Sequence, residues 1–272
     1  MSAVQRQCPI TAVEPIGQYT RLRLHAPDVA RAARPGNFVA LAVGGPTSSL
    51  LLRRAFAIYR TDAETVDIVV AAHGPGTQWL VAQRPGRVVD VVGPLGRPFP
   101  DPGDDGPVVV VGGGYGTAAL VGLVERFRHQ GRGVTAVVGA ATAGKLVGVA
   151  ELEGLRAEVF VATDDGSAGS AGLVTDLLTG SASTALVQAS AVYACGPMAM
   201  LAATAQAAQA AGVPCWCSVE ESMACGIGVC MTCVLPVVDT DGKTRMLRSC
   251  MAGPTFDGAA VRWADVGTVP PD

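Results

Sequence analysis

The sequence predicts three parts in order: a small antiparallel β domain, barrel or sandwich; an α/β domain with a doubly wound parallel sheet; and a short cysteine-rich lobe. Three observations carry this. Up to Asp101 the chain reads as short apolar runs broken by Gly and Pro; beyond Pro107 wholly apolar runs alternate with helical stretches; and six of the eight cysteines fall between Cys195 and Cys233. At 272 residues the chain is long enough for two domains of ordinary size with an appendage.

The β domain, expected over 1–101, rests on TRLRLHA, NFVALAV, AFAIYR, VDIVVAA and RVVDVVG, separated by turn signals such as PG and GPGT. DPGDDGP at 101–107 reads as a linker. The α/β domain, expected over 107–214, rests on VVVV at 108–111, TAVVG at 135–139, EVFVAT at 158–163 and AVYAC at 191–195. Continuous apolar strands fit a parallel sheet covered on both faces. The Ala-rich stretch after Pro197 is expected as the last helix of that sheet. The remainder, 215–272, is too short for a core of its own without a metal centre.

Composition excludes several classes. The cysteines are clustered rather than spread along the fold, so no disulfide framework is expected and a reducing, cytoplasmic setting is. MSAVQRQCPITAVEP has no apolar signal-peptide core. Leu177 to Val219 carries no charge, yet it is dominated by Ala, Ser, Thr, Gln and Gly and interrupted by Pro197, so it is read as buried in the protein rather than in a membrane. A net charge of −3 without a Lys/Arg cluster gives no footprint for nucleic acid.

Residues 225–233 read CGIGVCMTC. Cys225, Cys230 and Cys233 have the spacing C-x4-C-x2-C, and Cys250 follows after sixteen intervening residues. That is the plant-type [2Fe-2S] pattern, in which a tight loop supplies three thiolates and a distant segment the fourth. Zinc is the main rival, although its structural sites are usually built from two knuckles and the second pair is missing. Gly226 and Gly228 suit a loop that must turn through positive φ and aim amides at sulfur. Cys215 and Cys217 flank Trp216 at strand spacing and read as buried bystanders.

Three further stretches carry residues that suit a phosphate. LLRRAFAI at 51–58 puts arginines before an apolar strand, which is also what a solvated strand edge looks like, and GPGTQWL at 74–80 could be only a turn. VVVVGGGYGTAAL at 108–120 runs a buried strand into a glycine loop and a helix, with Gly114, Gly116 and Ala119 fitting G-x-G-x-x-A. No acidic residue stands about twenty positions later to hold a ribose, so the dinucleotide fingerprint is incomplete.

Taken in order, Arg-x-Phe, Gly-x-Gly-Thr, Gly-Pro-Leu-Gly, the glycine loop and Cys-Gly-Pro resemble the ferredoxin reductase family of flavin enzymes. SVEESMACGIGVCMTCV with SCMAGPTF narrows the resemblance to the electron-transfer subunits of two-component, NAD-linked dihydroorotate dehydrogenases of the B type, over nearly the whole chain. The resemblance implies a β-barrel holding FAD, a nucleotide-binding domain for NAD as co-substrate, and a C-terminal [2Fe-2S] lobe. Arg54 matches the arginine at the flavin diphosphate, in a strand segment with Ala55, Phe56 and Ala57. Gly74, Gly76 and Thr77 match the loop around the same group. Gly113, Gly114 and Gly116 match the nicotinamide-side loop, and Cys195, Gly196 and Pro197 the segment facing flavin and nicotinamide; Cys195 as a plain core residue stays open. The family commonly has serine where this chain has Ala57, and a lost hydroxyl contact costs about 1 kcal/mol.

The resemblance also implies a partner: an FMN-containing, TIM-barrel dihydroorotate dehydrogenase subunit in a heterotetramer of two plus two, acting in pyrimidine biosynthesis. This chain has no segment that would form such a barrel. An NAD(P)H-linked reductase subunit of another redox complex, of hydrogenase or transhydrogenase type, shares every one of these motifs. A non-enzymatic iron-sulfur module with a decayed flavin site is the remaining alternative, supported only by Ala57.

Overall fold

In the computed structural model, which describes residues 3–45 and 47–267, the N-terminal part is a closed antiparallel barrel. Its elements are β1 (Val4–Ile16), β2 (Tyr19–His25), α1 (Pro27–Ala32), β3 (Phe38–Leu41), β4 (Arg54–Thr61), β5 (Thr65–Val70), α2 (Pro75–Val81) and β6 (Val88–Leu95). The strand order is β1-β2-β5-β4-β3-β6, and β6 pairs back to β1. Closure leaves no strand edge unpaired. Alternate residues point inward, as the two-residue period requires: Leu22 and Leu24, Val39 and Leu41, Val66, Ile68 and Val70, Val89 and Val91. Val29 and Ala30 of α1 join this core.

Beyond it come β7 (Val108–Gly113), α3 (Ala118–His129), β8 (Val134–Ala140), α4 (Val149–Gly154), β9 (Glu158–Thr163), β10 (Ser170–Ala171), α5 (Val174–Thr179), α6 (Ser183–Gln188), β11 (Ala191–Cys195), α7 (Met198–Ala210) and β12 (Cys215–Ser218). A hairpin, β13 (Val234–Val238) and β14 (Thr244–Arg248), then leads through α8 (Ser249–Ala252) to β15 (Thr255–Asp257). The sheet order is β10-β9-β8-β7-β11-β12-β15, parallel except for β15. Within β7, Val109 and Val111 face a core built with α5 and α7, whereas Val108 and Val110 face α3. Both faces are covered, which is why the strand is apolar throughout. The Ala-rich α7 buries Leu201, Thr204, Ala205 and Ala208 at helical spacing.

The sheet does not end at residue 214. β12 pairs in parallel with β11, and β15 returns antiparallel to β12, with Ser218 opposite Thr255. The cysteine-bearing segment is therefore a long excursion between two neighbouring strands. Its apolar residues Leu235 and Val237, with Phe256 of β15 and Val261 beyond it, share the sheet's core, which supplies the burial so short a stretch lacks alone.

Barrel and sheet are locked together. Gly122 of α3 lies against the Tyr59 carbonyl of β4, where an added Cβ would come within 3.2 Å. Arg60 of β4 forms a two-pronged ion pair with Glu125 of α3. The 101–107 linker is tied down by Arg132, which donates to the Asp104 and Gly106 carbonyls and pairs with Asp105.

Candidate functional site

Three parallel strands deliver the key segments to one edge of the sheet. In register, Gly112 of β7 and Ser218 of β12 lie on either side of Cys195 of β11. The segments leaving the C-terminal ends of these strands are therefore adjacent: the glycine loop, Gly196-Pro197, and Val219-Glu220-Glu221. Glycines let the loops meet closely, packed under the Met200 side chain. A Cβ on Gly113 would lie 2.6 Å from Met200 Sδ and 2.8 Å from Pro197 Cδ, and Gly196, at φ +153°, has no room for one against Met200 and Gly113. Gly114 differs: at φ +53° it faces open space.

The barrel brings the second set. Arg54 begins β4, followed by Ala55, Phe56 and Ala57. Gly74 precedes α2, and the Thr77 hydroxyl accepts from the His73 and Gly74 amides and donates to the Gly74 carbonyl, fixing the loop. Gly76 lets Arg54 lie across this loop, since a Cβ there would sit 3.1 Å from Arg54 Nε. Nη1 of Arg54 donates to the Leu52 and Arg53 carbonyls, which leaves its other N–H groups for an anion.

Between the two sets lies a cavity of about 360 Å3. Ala55, Phe56, Ala57 and Thr77 line it from the barrel, Gly116 and Cys195 from the sheet, and Met223 from the approach to the cysteine loop. A mostly apolar cleft of this size with convergent polar groups fits the ring system of a flavin. Ala57, at the position where the resemblance leads one to expect a serine, is on its wall. Burial, and then the Glu220 carboxylate, push the Cys195 thiol up to about 12, so it is a neutral thiol at the cavity wall.

Two residues of this cavity lie inside stretches quoted from the sequence, yet carry no role in those motifs. Glu220 is raised above the ordinary carboxylate range by burial, opposed by a hydrogen bond from Tyr115. The Tyr115 hydroxyl is raised too, by burial and then by Glu220. The Tyr115 ring stands edge-on to Tyr19 at 6.0 Å and 6.1 Å from His73, reaching from sheet to barrel. The sequence does hold one signal: the uncharged run from Leu177 ends abruptly in Glu220-Glu221.

The cysteine loop turns at Gly226 (φ +70°), Gly228 (φ +87°) and Met231 (φ +57°). Its amides converge on sulfur, the Ile227 and Val229 N–H groups donating to Cys225 Sγ. The hairpin pairs Val234 with Arg248, so its open end sets Cys233 beside Cys250, whose amide donates to Cys233 Sγ at 3.4 Å. Among the described residues no three His, Cys, Asp or Glu side chains gather as ligands of one metal ion. The thiols stand as two neighbouring pairs, Cys225 with Cys230 and Cys233 with Cys250. A tetrahedral zinc ion needs four donors round one point. A two-iron cluster shares four thiolates between two irons, and the pairs fit that. The Thr232 hydroxyl, then its amide and that of Cys225, lower the Cys230 thiol to about 6. Cys233 and Cys250 pack on Phe38, Ala40 and Leu95 of the barrel, and Phe38 also lines the cavity. Cys215 and Cys217 are buried in β12, away from this loop.

A closed barrel, a doubly wound sheet and a cavity between them define the ferredoxin reductase architecture. A chain from the structure of an NADH-dependent reduced ferredoxin-NADP oxidoreductase, solved for insights into flavin-based electron bifurcation, superposes with a TM-score of 0.80 at 30% identity, over 95% of this chain and 91% of that one. The ferredoxin reductase in carbazole 1,9a-dioxygenase shares the fold at 20% identity and a TM-score of 0.67, over 79% of this chain and 68% of that one. Residues 220–262 match the iron-sulfur cluster binding domain of dihydroorotate dehydrogenase B. The electron transfer subunit of dihydroorotate dehydrogenase B (NAD(+)) from Desulforamulus reducens is 35% identical over 89% of this chain and 92% of its own length, and that of Geobacillus thermodenitrificans 36% identical over 86% and 88%. The chain belongs to this family of electron transfer subunits.

Proposed function

We propose that this chain is the electron-transfer subunit of an NAD-linked dihydroorotate dehydrogenase, passing electrons taken by a separate catalytic subunit to NAD+. One observation carries the reading: a single cavity is walled by the barrel segment of Phe56 and Thr77, the sheet edge of Gly116 and Cys195, and Met223 beside the cysteine loop. When bound, FAD exchanges hydride with nicotinamide and single electrons with a [2Fe-2S] cluster, so it belongs between them. Arg54, Gly74, Gly76 and Thr77 hold and orient the flavin diphosphate; Gly113, Gly114 and Gly116, with Gly196 and Pro197, leave room for the nicotinamide against it. Cys225, Cys230, Cys233 and Cys250 hold the cluster. The partner is an FMN-containing TIM-barrel subunit in a two-plus-two heterotetramer, and the setting is the cytoplasm. No helix among the described residues is long and apolar enough to cross a membrane.

The test is reconstitution. Alone, the chain should pass electrons from NADH to an artificial acceptor and be silent with dihydroorotate and NAD+. Adding the FMN-containing subunit from the same cell should produce NADH. If that subunit neither binds nor supports NADH formation, the alternative is a reductase subunit of another redox complex, which the likeness to the reduced ferredoxin-NADP oxidoreductase favours.

A further inference from the structure

A second cavity, of about 470 Å3, opens where α3 passes β4, and it shares no lining residue with the first. Both halves of the molecule build it: Arg34 and Arg60 come from the barrel, Glu125, Arg126 and His129 from α3. Its charge is lopsided. Among the described residues Glu125 is the only carboxylate in the lining, and both of its oxygens are taken by Arg60. Arg126 has Asp101 3.1 Å from Nη2, but that aspartate is 70% exposed and outside the cavity. The Arg34 amide is held by Asn37 Oδ1, so its backbone is fixed, while its guanidinium makes no hydrogen bond or ion pair among the described residues. Two arginines thus face a half-enclosed space with no internal counter-charge, an arrangement that favours an anion.

We propose that this junction cavity binds a small phosphate-bearing anion, gripped by Arg34 from the barrel and Arg126 from α3, with Arg60 held in place by Glu125. Guanidinium forks suit phosphate because they offer paired N–H donors to paired oxygens. The cavity is larger than one phosphate needs, so the group is carried on a larger molecule. An anion held from both sides clamps barrel to sheet, the two bodies whose separation sets the width of the flavin cavity.

The experiment is calorimetric titration of the full, FAD-loaded chain with inorganic pyrophosphate at constant ionic strength. Saturable one-to-one binding is expected, weakened about tenfold or more by Arg34→Gln, the usual loss for one charge-assisted contact. Glu125→Gln should tighten it severalfold by freeing Arg60, a gain that a poorly folded variant cannot give. Arg84→Gln, which removes an exposed arginine outside both cavities, should leave it unchanged. Equal affinity in Arg34→Gln, equal weakening by Arg84→Gln, or displacement of pyrophosphate by NADH would overturn the proposal; the last would put the anion at the glycine loop.

Discussion

Gly116 and Gly196 touch backbone to backbone: a Cβ on Gly116 would lie 2.7 Å from the Gly196 Cα and 2.9 Å from the Cys195 carbonyl carbon. Neither partner atom can swing aside. Gly116→Ala should therefore destabilise the chain by about 1–3 kcal/mol, the usual cost of overpacking, and shift Cys195 at the cavity wall. Gly114→Ala meets open space and carries only the left-handed backbone cost of about 1–2 kcal/mol. Denaturant unfolding and NADH-acceptor kinetics on both variants check this: Gly116→Ala should lower both the unfolding midpoint and kcat, whereas Gly114→Ala, whose Cβ enters the space left for the nicotinamide, should act chiefly on the KM for NADH. An unchanged unfolding midpoint and kcat in Gly116→Ala would show that the close approach is unimportant.

Arg54→Ala should weaken FAD by about 1.5–3 kcal/mol, because a diphosphate charge loses its charge-assisted donors. Equilibrium dialysis of the flavin reads this directly. Unchanged affinity means that Arg54 serves only the Leu52 and Arg53 carbonyls.

Prepared without oxygen, the chain should carry about two iron and two acid-labile sulfide. Cys250→Ser should lose most of both while keeping FAD and much of the NADH-acceptor activity, because Cys250 lies across Phe38 from the cavity rather than in its lining. Stoichiometric zinc without sulfide would make this a zinc site.

Glu220 sets a pH dependence. Its raised pKa, caused by burial, means that the folded chain holds this proton more tightly than the unfolded one. Stability from this group is therefore fully present below the ordinary glutamate pKa and falls as pH rises through the folded value. Glu220→Gln should raise the melting temperature near neutral pH, with the difference vanishing at about pH 4 or below, under the ordinary glutamate value. A constant difference across that range would rule the titration out.

Much of the fold is legible because its strands carry their period. VVVV, TAVVG, EVFVAT and AVYAC all lie within observed strands, and four-thiolate spacing needs only counting. β1 is not legible as a strand: of its thirteen residues only Cys8 and Ile10 are buried, and Pro9 and Pro15 interrupt it, so it shows no apolar alternation. GPGT hides a helix start at Pro75 behind turn residues. β12 and β15 are four and three residues long, and only pairing partners distant in the chain make them strands. The meeting of Tyr115 with Glu220 is not legible in the sequence, because it joins residues about a hundred positions apart, which no local pattern encodes.

Ser218 and Thr255 are paired neighbours in the sheet, and the whole cysteine segment hangs between them. A stretch whose two ends already meet can be spliced in or out without rethreading a single strand. The cysteine segment is thus a cassette: topologically, the barrel and sheet are closed before the cassette begins and the chain resumes beside the same strand when it ends. Grafting such a segment onto a reductase that lacks one requires only two adjacent strand ends at the sheet margin and a barrel wall to receive the thiols.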